Sequence, residues 1–564
     1  MFGRNRLAQV YLFQLKFLLS HTNTDYWRIF SRTSTTHLMS ISGLHVTMVA
    51  GLVAALVGRL WRRAARLPLF LPAQKVAVLA GALGALGYSL VAGFAVPAQR
   101  TLYMLLVVAL ALWSGRRLAG RRVLALALLA VLLVDPWAVL SAGFWLSFGA
   151  VAVLFYAGSG RLGAGGKLTV WLRTQWAVTL AMLPLLLALF QQFSLVSPLA
   201  NAIAIPVVSL LVTPLALLGT LPFLDPLLWL AHGLMVPLMA LLEWLAASDW
   251  AVWQQAAPPL SVVALALSGA FWLLLPRGFP ARWLGLLTFL PLLFFSPERP
   301  AVGAAKVVVL DVGQGLAVHV QTARHDLLFD AGPVYSSEAD SGSRVIVPYL
   351  RAVGVRRIDE VLVTHEDKDH SGGAESVLES LPVGLLRSSL PFENILSAQP
   401  VRQEPCIDGQ GWEWDGVHFD ILHPTETEYR SARKTNALSC VLKVSTAHGR
   451  VLLTSDIEAP VEVDLVARRG ADLQSDFLLA PHHGSRTSSS PEFIAAVVAQ
   501  TVIFAVGYRN RFGHPKPEVE ERYRQGGAAL RRTDLEGALS LNLRADGPAI
   551  ESERASRRRY WHGR

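Results

Sequence analysis

The sequence predicts two fold classes in one chain: a polytopic α-helical membrane domain, followed by a soluble two-sheet sandwich with helices outside. Three observations predict this. Charge is unevenly spread: hydrophobic residues make up 52% of the chain and charged ones 16%, against roughly 25% charged in an ordinary soluble domain. The deficit lies between Leu38 and Pro297, where long apolar runs dominate. From Lys306 onward, short β-rich runs give way to strands alternating with helical segments, the order that packs two sheets face to face under outer helices. The boundaries read as residues 1–24 for an N-terminal segment, 25–299 for the membrane domain, 303–540 for the soluble domain and 541–564 for a basic tail.

The opening segment "MFGRNRLAQVYLFQLKFLLSHTN" starts basic but has no clean apolar core and no small-residue cleavage site, so it does not read as a signal peptide. A spanning helix needs roughly 20 apolar residues, and about ten runs approach that length. They lie near 38–58, 75–96, 101–115, 122–140, 143–158, 172–193, 199–220, 226–246, 260–276 and 282–297. Arginine and lysine cluster in alternate loops: Arg59, Arg62, Arg63 and Arg66, then Arg116, Arg117, Arg121 and Arg122, then Arg161, Lys167 and Arg173, then Arg277 and Arg282. Cytoplasmic loops carry such an excess. With an even number of spans, both the N-terminus and the soluble domain then lie outside the cytoplasm.

Polar residues interrupt the apolar runs. "HLMSISGLHV" carries Ser40, Ser42 and His45, "VPAQRTLYMLL" carries Gln99 and Arg100, and "QQFSLVSPLANAIAIPVV" carries Gln191, Gln192, Asn201 and two prolines, Pro198 and Pro206. Small polar residues pack helices and prolines kink them. The functional alternative is a polar path across the membrane, since intramembrane ionisable groups mark transport routes. Ser42, His45, Arg100 and Asn201 are the candidates for such a channel.

In the soluble half, "KVVVLDVGQG", "LAVHVQT" and "HDLLFDAG" predict three successive strands, and "RVIVPYLRAVG" a helix ending at Gly354. "IDEVLVTH" predicts a buried strand delivering His365 at its end, and "GGAESVLES" the helix after it. "HFDILHP", "SCVLKVST", "RVLLTSDI", "DFLLAPHHGS" and "TVIFAVG" predict further strands, with helices near 458–469, 491–499 and 517–525.

The chemistry sits at the strand ends. His365, Asp367, Asp369 and His370 leave one strand in a tight turn, "VTHEDKDHSGG". Asp456 ends "VLLTSD", His482 and His483 end "DFLLAPHH", and His514 follows in "NRFGHP". Imidazole and carboxylate ligands suit divalent ions such as Zn²⁺ and Mn²⁺. Asp330 also ends a strand, "LLFD"; taken alone, it reads as a cap or a loop carboxylate.

The net charge of +10 fits cytoplasmic loops, a basic tail or a polyanion-binding surface, and by itself establishes no nucleic-acid partner. The tail "ERASRRRYWHGR" reads as a solvated charge run. Cys406 and Cys440 are either one disulfide, if the soluble half is extracytoplasmic, or two buried thiols.

The pattern H-x-D-x-D-H with Gly-Gly, a later strand-end Asp and H-H-G-S resembles the metallo-β-lactamase superfamily, with Asp367 where that superfamily usually has a second His. With "LDVGQG" upstream and "NALSCVL" and "PHHGS" downstream, it resembles the C-terminal domain of ComEC-type competence proteins. "HLMSISGLHV", "SAGFWLSF" and "SPLANAIAIPVV" resemble that family's membrane motifs, so the resemblance runs over roughly residues 25 to 525.

The resemblance implies a multi-pass protein of the bacterial inner membrane. It also implies an αββα metallo-β-lactamase-like domain and a channel for single-stranded DNA in natural transformation. The metal domain is implied to degrade the strand that stays outside. Implied metal ligands are His365, Asp367, Asp369, His370, Asp456 and one of His482 or His483, holding two divalent ions, Zn or Mn, with Asp456 bridging. Asp369, His483 and His514 would orient the attacking water or contact phosphate. Implied partners are single-stranded DNA in the channel, duplex DNA at its entry, a DNA receptor, a cytoplasmic translocation ATPase and further copies of the chain. No ATP-binding P-loop is present in the sequence.

There are departures. Ser455 precedes Asp456 where the family commonly has Gly, and His423 in "ILHP" is a weak candidate for the superfamily's isolated middle His. Family members often begin with an extra helix pair and an OB-like domain able to bind single strands; this chain begins almost at the competence domain. That reads as a truncation, a misplaced start or dependence on a partner. Two alternatives differ in class from a channel with a nuclease: a channel or DNA-binding scaffold whose metal domain is not catalytic, and a membrane-anchored phosphodiesterase with no transport role.

Overall fold

The structure, a computed structural model, describes residues 26–562 apart from 40–42, 65, 95, 116–118, 159–165, 277, 338, 391–395, 397–398, 432–433 and 560–561. The candidates Ser40 and Ser42 and the loop arginines Arg116, Arg117, Arg161 and Arg277 lie outside the described residues. The chain divides into two units, Met1–Phe295 and Ser296–Arg564.

The first unit is helical. Among the described residues, five helices are long and apolar enough to cross a membrane: Gly43–Arg63, Ala73–Val91, Thr169–Phe190, Ser197–Gly219 and Pro226–Ala247. Four more are apolar but shorter: Pro97–Trp113, Ala142–Gly158, Leu260–Leu273 and Arg282–Leu293. Of the two prolines that the sequence singles out, Pro198 lies in the first turn of a helix and Pro206 marks a change of helical form. Pro184 and Pro237 sit inside long helices, and Pro206 opens a π-helical stretch, Pro206–Val212, between Ser197–Ile205 and Thr213–Gly219. Proline lacks the N–H that an α-helix needs, and a widened π-turn often marks a functional place. The "QQFS" segment leaves helical form and pairs antiparallel with Val252–Gln254, which satisfies its backbone within protein.

The second unit is an αββα sandwich. Its first sheet contains β1 (Ala305–Val309), β2 (Val318–Gln321), β3 (Asp326–Phe329), β4 (Ile358–Val363), β5 (Val383–Ser388) and β6 (Arg402–Pro405). The second contains β7 (Gly411–Trp414), β8 (Val417–His423), β9 (Val441–Thr446), β10 (Gly449–Leu453), β11 (Phe477–Leu479), β12 (Thr501–Phe504) and β13 (Ala529–Arg532). The chain then returns to the first sheet with β14 (Leu539–Leu543) and β15 (Ala549–Ser552). Spatial order is β6-β5-β4-β3-β2-β1-β14-β15 in one sheet and β7 to β13 consecutively in the other. The boundary expected at residue 540 falls inside β14, and β15 lies in the segment expected to be a basic tail.

Period-two alternation builds the layers. Val307, Val309, Leu327, Phe329 and Leu362 face Phe419, Ile421, Leu442, Leu453 and Leu479 in the core between the sheets. Their neighbours Val308, Leu328, Val361 and Val363 pack outward against Ile346, Leu350, Ala374 and Val377 of the helices. Leu452, Leu478, Val502 and Phe504 do the same against Val461, Leu465, Phe493 and Tyr523 on the far side. Cys406 and Cys440 are bonded to each other, 6.2 Å apart at Cα, and both lie in the inter-sheet core, so of the two readings the disulfide holds.

Candidate metal centre

The carboxyl ends of β3, β4, β10 and β11 converge, and each delivers polar side chains. β4 ends at Val363 and releases the turn that carries His365 to His370. Little space is left there for side chains. A Cβ on Gly373 would lie 2.4 Å from the carbonyl of Ala331 and 2.4 Å from the nitrogen of Gly342. Gly315, at φ +144°, would place one 2.4 Å from the carbonyl of Asp369. The glycines of "SGG" and "GQG" therefore let three backbones close around the turn.

One ligand atom each from Asp369, His370, Asp456 and His483 lies within 4.8 Å of all the others. His370 Nε2 is 3.2 Å from Asp456 Oδ1 and 4.0 Å from Asp369 Oδ2. His483 Nε2 is 3.6 Å from each of the same two carboxylates. The His365 ring lies 4.3 Å from that of His370. The Nε2 atoms of His365, His370 and His483 are buried and make no hydrogen bond. Three buried imidazole nitrogens without hydrogen-bond partners, beside two carboxylates, are a donor set that fits a divalent cation.

Buried anchors behind these rings fix their orientation. Asp330 Oδ2 accepts from His370 Nδ1 at 2.8 Å, and both Asp330 oxygens also accept from Thr364, at 2.8 Å from its N–H and 2.9 Å from its hydroxyl. A carboxylate behind a ligating imidazole fixes its tautomer and raises its basicity. His483 Nδ1 donates to the Ala505 carbonyl at 2.7 Å. Ser455 Oγ lies 2.6 Å from Thr364 Oγ1 and 3.3 Å from Asp330 Oδ2. Asp330, Ser455, His482 and His483 all have φ between 48° and 59°, a left-handed conformation costly for residues with a side chain and common at functional sites.

The charges are mutually dependent. Burial would push Asp456 up, but the imidazoles of His370 and His483 hold it well below the usual carboxylate range. Burial would likewise raise Asp369, and the imidazoles of His483, 3.6 Å away, and His370 bring it down to about 2. His370 goes up despite burial, because Asp456 and Asp330 flank it. His365 goes down to about 4, through burial and then the charge of His370. The cluster therefore attracts positive charge, and a divalent cation there competes with protons.

The remaining predicted residues stand around the cluster. Asp367 is 3.8 Å from His365 Nε2 and accepts from Thr435 Oγ1 at 3.0 Å. His482 is at the mouth, 3.7 Å from the other Asp456 oxygen and 3.2 Å from Thr487 Oγ1. His514 is one ring further out, 6.1 Å from His482. His423 is engaged elsewhere: Nε2 donates to the Ala437 carbonyl at 2.9 Å and Nδ1 lies 3.2 Å from Glu428. It is a structural histidine and not the missing ligand.

In the helical unit, Arg100 is 5% exposed, and its Nε and one terminal nitrogen make no hydrogen bond among the described residues. Gly143 lies against it; a Cβ there would come within 2.9 Å of the guanidinium. Asn201 Oδ1 and Ser209 Oγ are also buried without a hydrogen bond, and His45 Nε2 lies 3.3 Å from Thr213 Oγ1. Ser209 is not among the residues that the sequence singles out. Its spacing of eight from Asn201 places both on one helix face, which is the available signal.

Residues 19–280 match the family described as Competence protein, and residues 310–505 match the Metallo-beta-lactamase superfamily. Competence protein ComA of Neisseria gonorrhoeae is 42% identical over 540 residues, covering 95% of this chain and 74% of that protein. The uncharacterized protein YcaI of Escherichia coli (strain K12) is 32% identical over 558 residues, covering 94% of this chain and 70% of that one. ComE operon protein 3 of Bacillus subtilis (strain 168) is 28% identical over 565 residues, covering 91% and 69%. With a competence unit, a metallo-β-lactamase fold and a relative this similar over most of both chains, the chain belongs to the ComEC-type family of competence proteins.

Proposed function

We propose that the chain carries single-stranded DNA across the bacterial cytoplasmic membrane during natural transformation, and that its soluble unit hydrolyses the strand left outside. The carrying observation is the convergence of His365, His370 and His483 Nε2 with Asp369 and Asp456 at the strand ends of a competence-family chain. Asp369, His370, Asp456 and His483 would hold a divalent ion, Zn or Mn, and His365 and Asp367 would be the further donors for a second. Bound ions supply Lewis acidity to a phosphodiester oxygen. Asp330 holds His370 in place, Asp369 orients water from the partly open side, and His482 and His514 meet phosphate at the mouth.

Among the described residues, four shorter apolar helices and Gly120–Val134 stand beside the five long ones, and we read all ten as spans. An even count and the loop arginines support a soluble unit outside the cytoplasm. The Cys406–Cys440 bond supports the same side, since disulfides persist in oxidising compartments. Arg100, Asn201 and His45 line the DNA path, with Ser42 added from sequence. A DNA receptor and a translocation ATPase complete the machine.

The test is uptake of end-labelled duplex by a strain lacking this chain, complemented with the parent, Asp369→Ala or Arg100→Ala. Deletion is expected to abolish transformation and Arg100→Ala to lower internalised label. Asp369→Ala is expected to leave the second strand intact in the medium. Full transformation in the deletion strain would overturn the proposal. Degradation unchanged by Asp369→Ala would leave a channel whose metal domain is a scaffold.

A further inference from the structure

We propose that the loop 507–517, "GYRNRFGHPKP", is the seat for a single-stranded DNA segment entering the metal centre. Tyr508 and Phe512 stack on unpaired bases, and Arg509, Arg511 and Lys516 pair with its phosphates. This rests on the nucleic-acid reading above and names the form of the substrate.

The loop follows β12 and its form is fixed from within. Asn510 donates to the carbonyls of Gly507 and His514, at 3.2 and 2.7 Å, and accepts from the N–H of His514 at 2.9 Å. Lys516 Nζ donates to the carbonyl of Phe512 at 2.7 Å. At its root, the Gly507 N–H donates to Gln314 Oε1 at 3.2 Å. A loop this tightly stapled nevertheless exposes two large rings: Tyr508 is 67% exposed and Phe512 45%. Arg509 lies 5.2 Å from the Tyr508 ring and Arg511 4.7 Å from the Phe512 ring.

The charge is unopposed. The loop carries three basic residues and no acidic one, and among the described residues neither Arg509 nor Arg511 forms an ion pair. Just past the loop, by contrast, Glu518 pairs with Arg486.

The loop also leads to the chemistry. Phe512 stacks on His514 at 5.7 Å, His514 meets His482 edge-on at 6.1 Å, and His482 lies 6.5 Å from His483 in the cluster. Rings at about one-ring spacing thus run from the exposed tip to the metal centre. Alternating cations and ring faces are the chemistry of single-strand binding. A duplex hides its base faces in its own stack and offers such rings nothing.

The test is fluorescence anisotropy of labelled oligothymidine and of a labelled duplex, with the full chain in nanodiscs and EDTA present so that no cleavage occurs. Tyr508→Ala/Phe512→Ala is expected to weaken oligothymidine binding about tenfold or more, in line with stacking of roughly 1–3 kcal/mol per base, while duplex binding changes less than twofold. Phe512→Tyr is expected to keep parental affinity. Arg509→Ala/Arg511→Ala is expected to lower the slope of log affinity against log salt by about 0.7 for each phosphate no longer neutralised. Parental oligothymidine binding in the double-ring variant would overturn the proposal. An equal loss for duplex would do the same, as would a loss confined to nanodiscs of anionic lipid, which would assign the loop to the membrane surface. If the parent fails to cleave DNA with Mn²⁺, the nuclease reading falls while these binding results stand.

Discussion

The two ends of β3 each hold a buried carboxylate bonded to a histidine, and the two pairs do different work. At the start of the strand, Asp326 accepts from His319 at 3.1 Å, from Gln321 at 3.1 Å and from Arg299 at 3.0 Å. The other His319 nitrogen meets the Tyr349 hydroxyl at 3.1 Å. Just past the strand's end, Asp330 bonds His370 Nδ1, but His370 Nε2 makes no hydrogen bond and faces two carboxylates also approached by His483. One end spends every polar atom on the fold. The other gathers more ligand atoms than its own protons can bridge, which is costly unless a cation joins them.

The largest effect should come from breaking the open end. Asp456→Ala removes the carboxylate shared by His370, His483 and His482. Metal-dependent cleavage should fall at least about 10³-fold, corresponding to roughly 4 kcal/mol of lost barrier lowering, and bound metal per chain, read by elemental analysis, should drop. Parental metal content in this variant would refute the ligand assignment.

Breaking the closed end should cost stability and leave function intact. Asp326→Ala leaves buried His319 without its carboxylate, while Arg299 keeps its bonds to the carbonyls of Thr322, Ala323 and His325; removing one partner of a buried pair costs about 3–5 kcal/mol. Thermal unfolding in detergent should drop by of order 10 °C, with metal content per folded chain unchanged. A loss of metal here would dissolve the distinction between the two ends.

Asp330→Asn sharpens the comparison, since it keeps the ligand set and alters only the orienting group. Metal affinity should weaken about 10- to 100-fold, measured by competition with a chelating dye. An affinity within twofold of the parent would demote Asp330 to a purely structural residue.

Much of this arrangement is legible in the sequence. "IDEVLVTH", "RVLLTSD" and "DFLLAPHH" are apolar runs ending in His or Asp, and each forms a strand releasing a side chain into the cluster. The short strands β6, β7 and β13 are not legible. "RQEP" and "ALRR" carry no alternating apolar face, and "GWEW" alternates only its two tryptophans over four residues; pairing with longer neighbours makes all three strands. Nor does the sequence disclose that Asp330 orients His370. They are 40 positions apart, and only the parallel pairing of β3 with β4 brings them together. His423 fails in the opposite direction, because a strand-end His looks like a ligand until its partners are known.

Those partners supply the smallest prediction. His423 stands nearer the closed kind of pair, since Nε2 is taken by the Ala437 carbonyl, although Nδ1, 3.2 Å from Glu428, makes no hydrogen bond among the described residues. Glu428 also accepts from the Thr425 N–H at 2.6 Å and its hydroxyl at 2.7 Å. Burial would raise this carboxyl, but the adjacent His423 imidazole and the Thr425 N–H bring it down to about 2 from its ordinary 4.5. A carboxylate lowered on folding stabilises the fold fully above its unfolded pKa, and that contribution disappears as pH falls through the folded value. The window is therefore pH 4.5 down to about 2. Glu428→Gln cannot ionise, so its melting temperature should lie below the parent's at about pH 6 and converge with it as pH falls toward about 3. Metal content at neutral pH should match the parent. A gap independent of pH would mean that the Glu428 charge contributes nothing and that His423 is held by its carbonyl bond alone. A fall in metal content would return His423 to the ligand set and place a third histidine–carboxylate pair on the open side of the comparison.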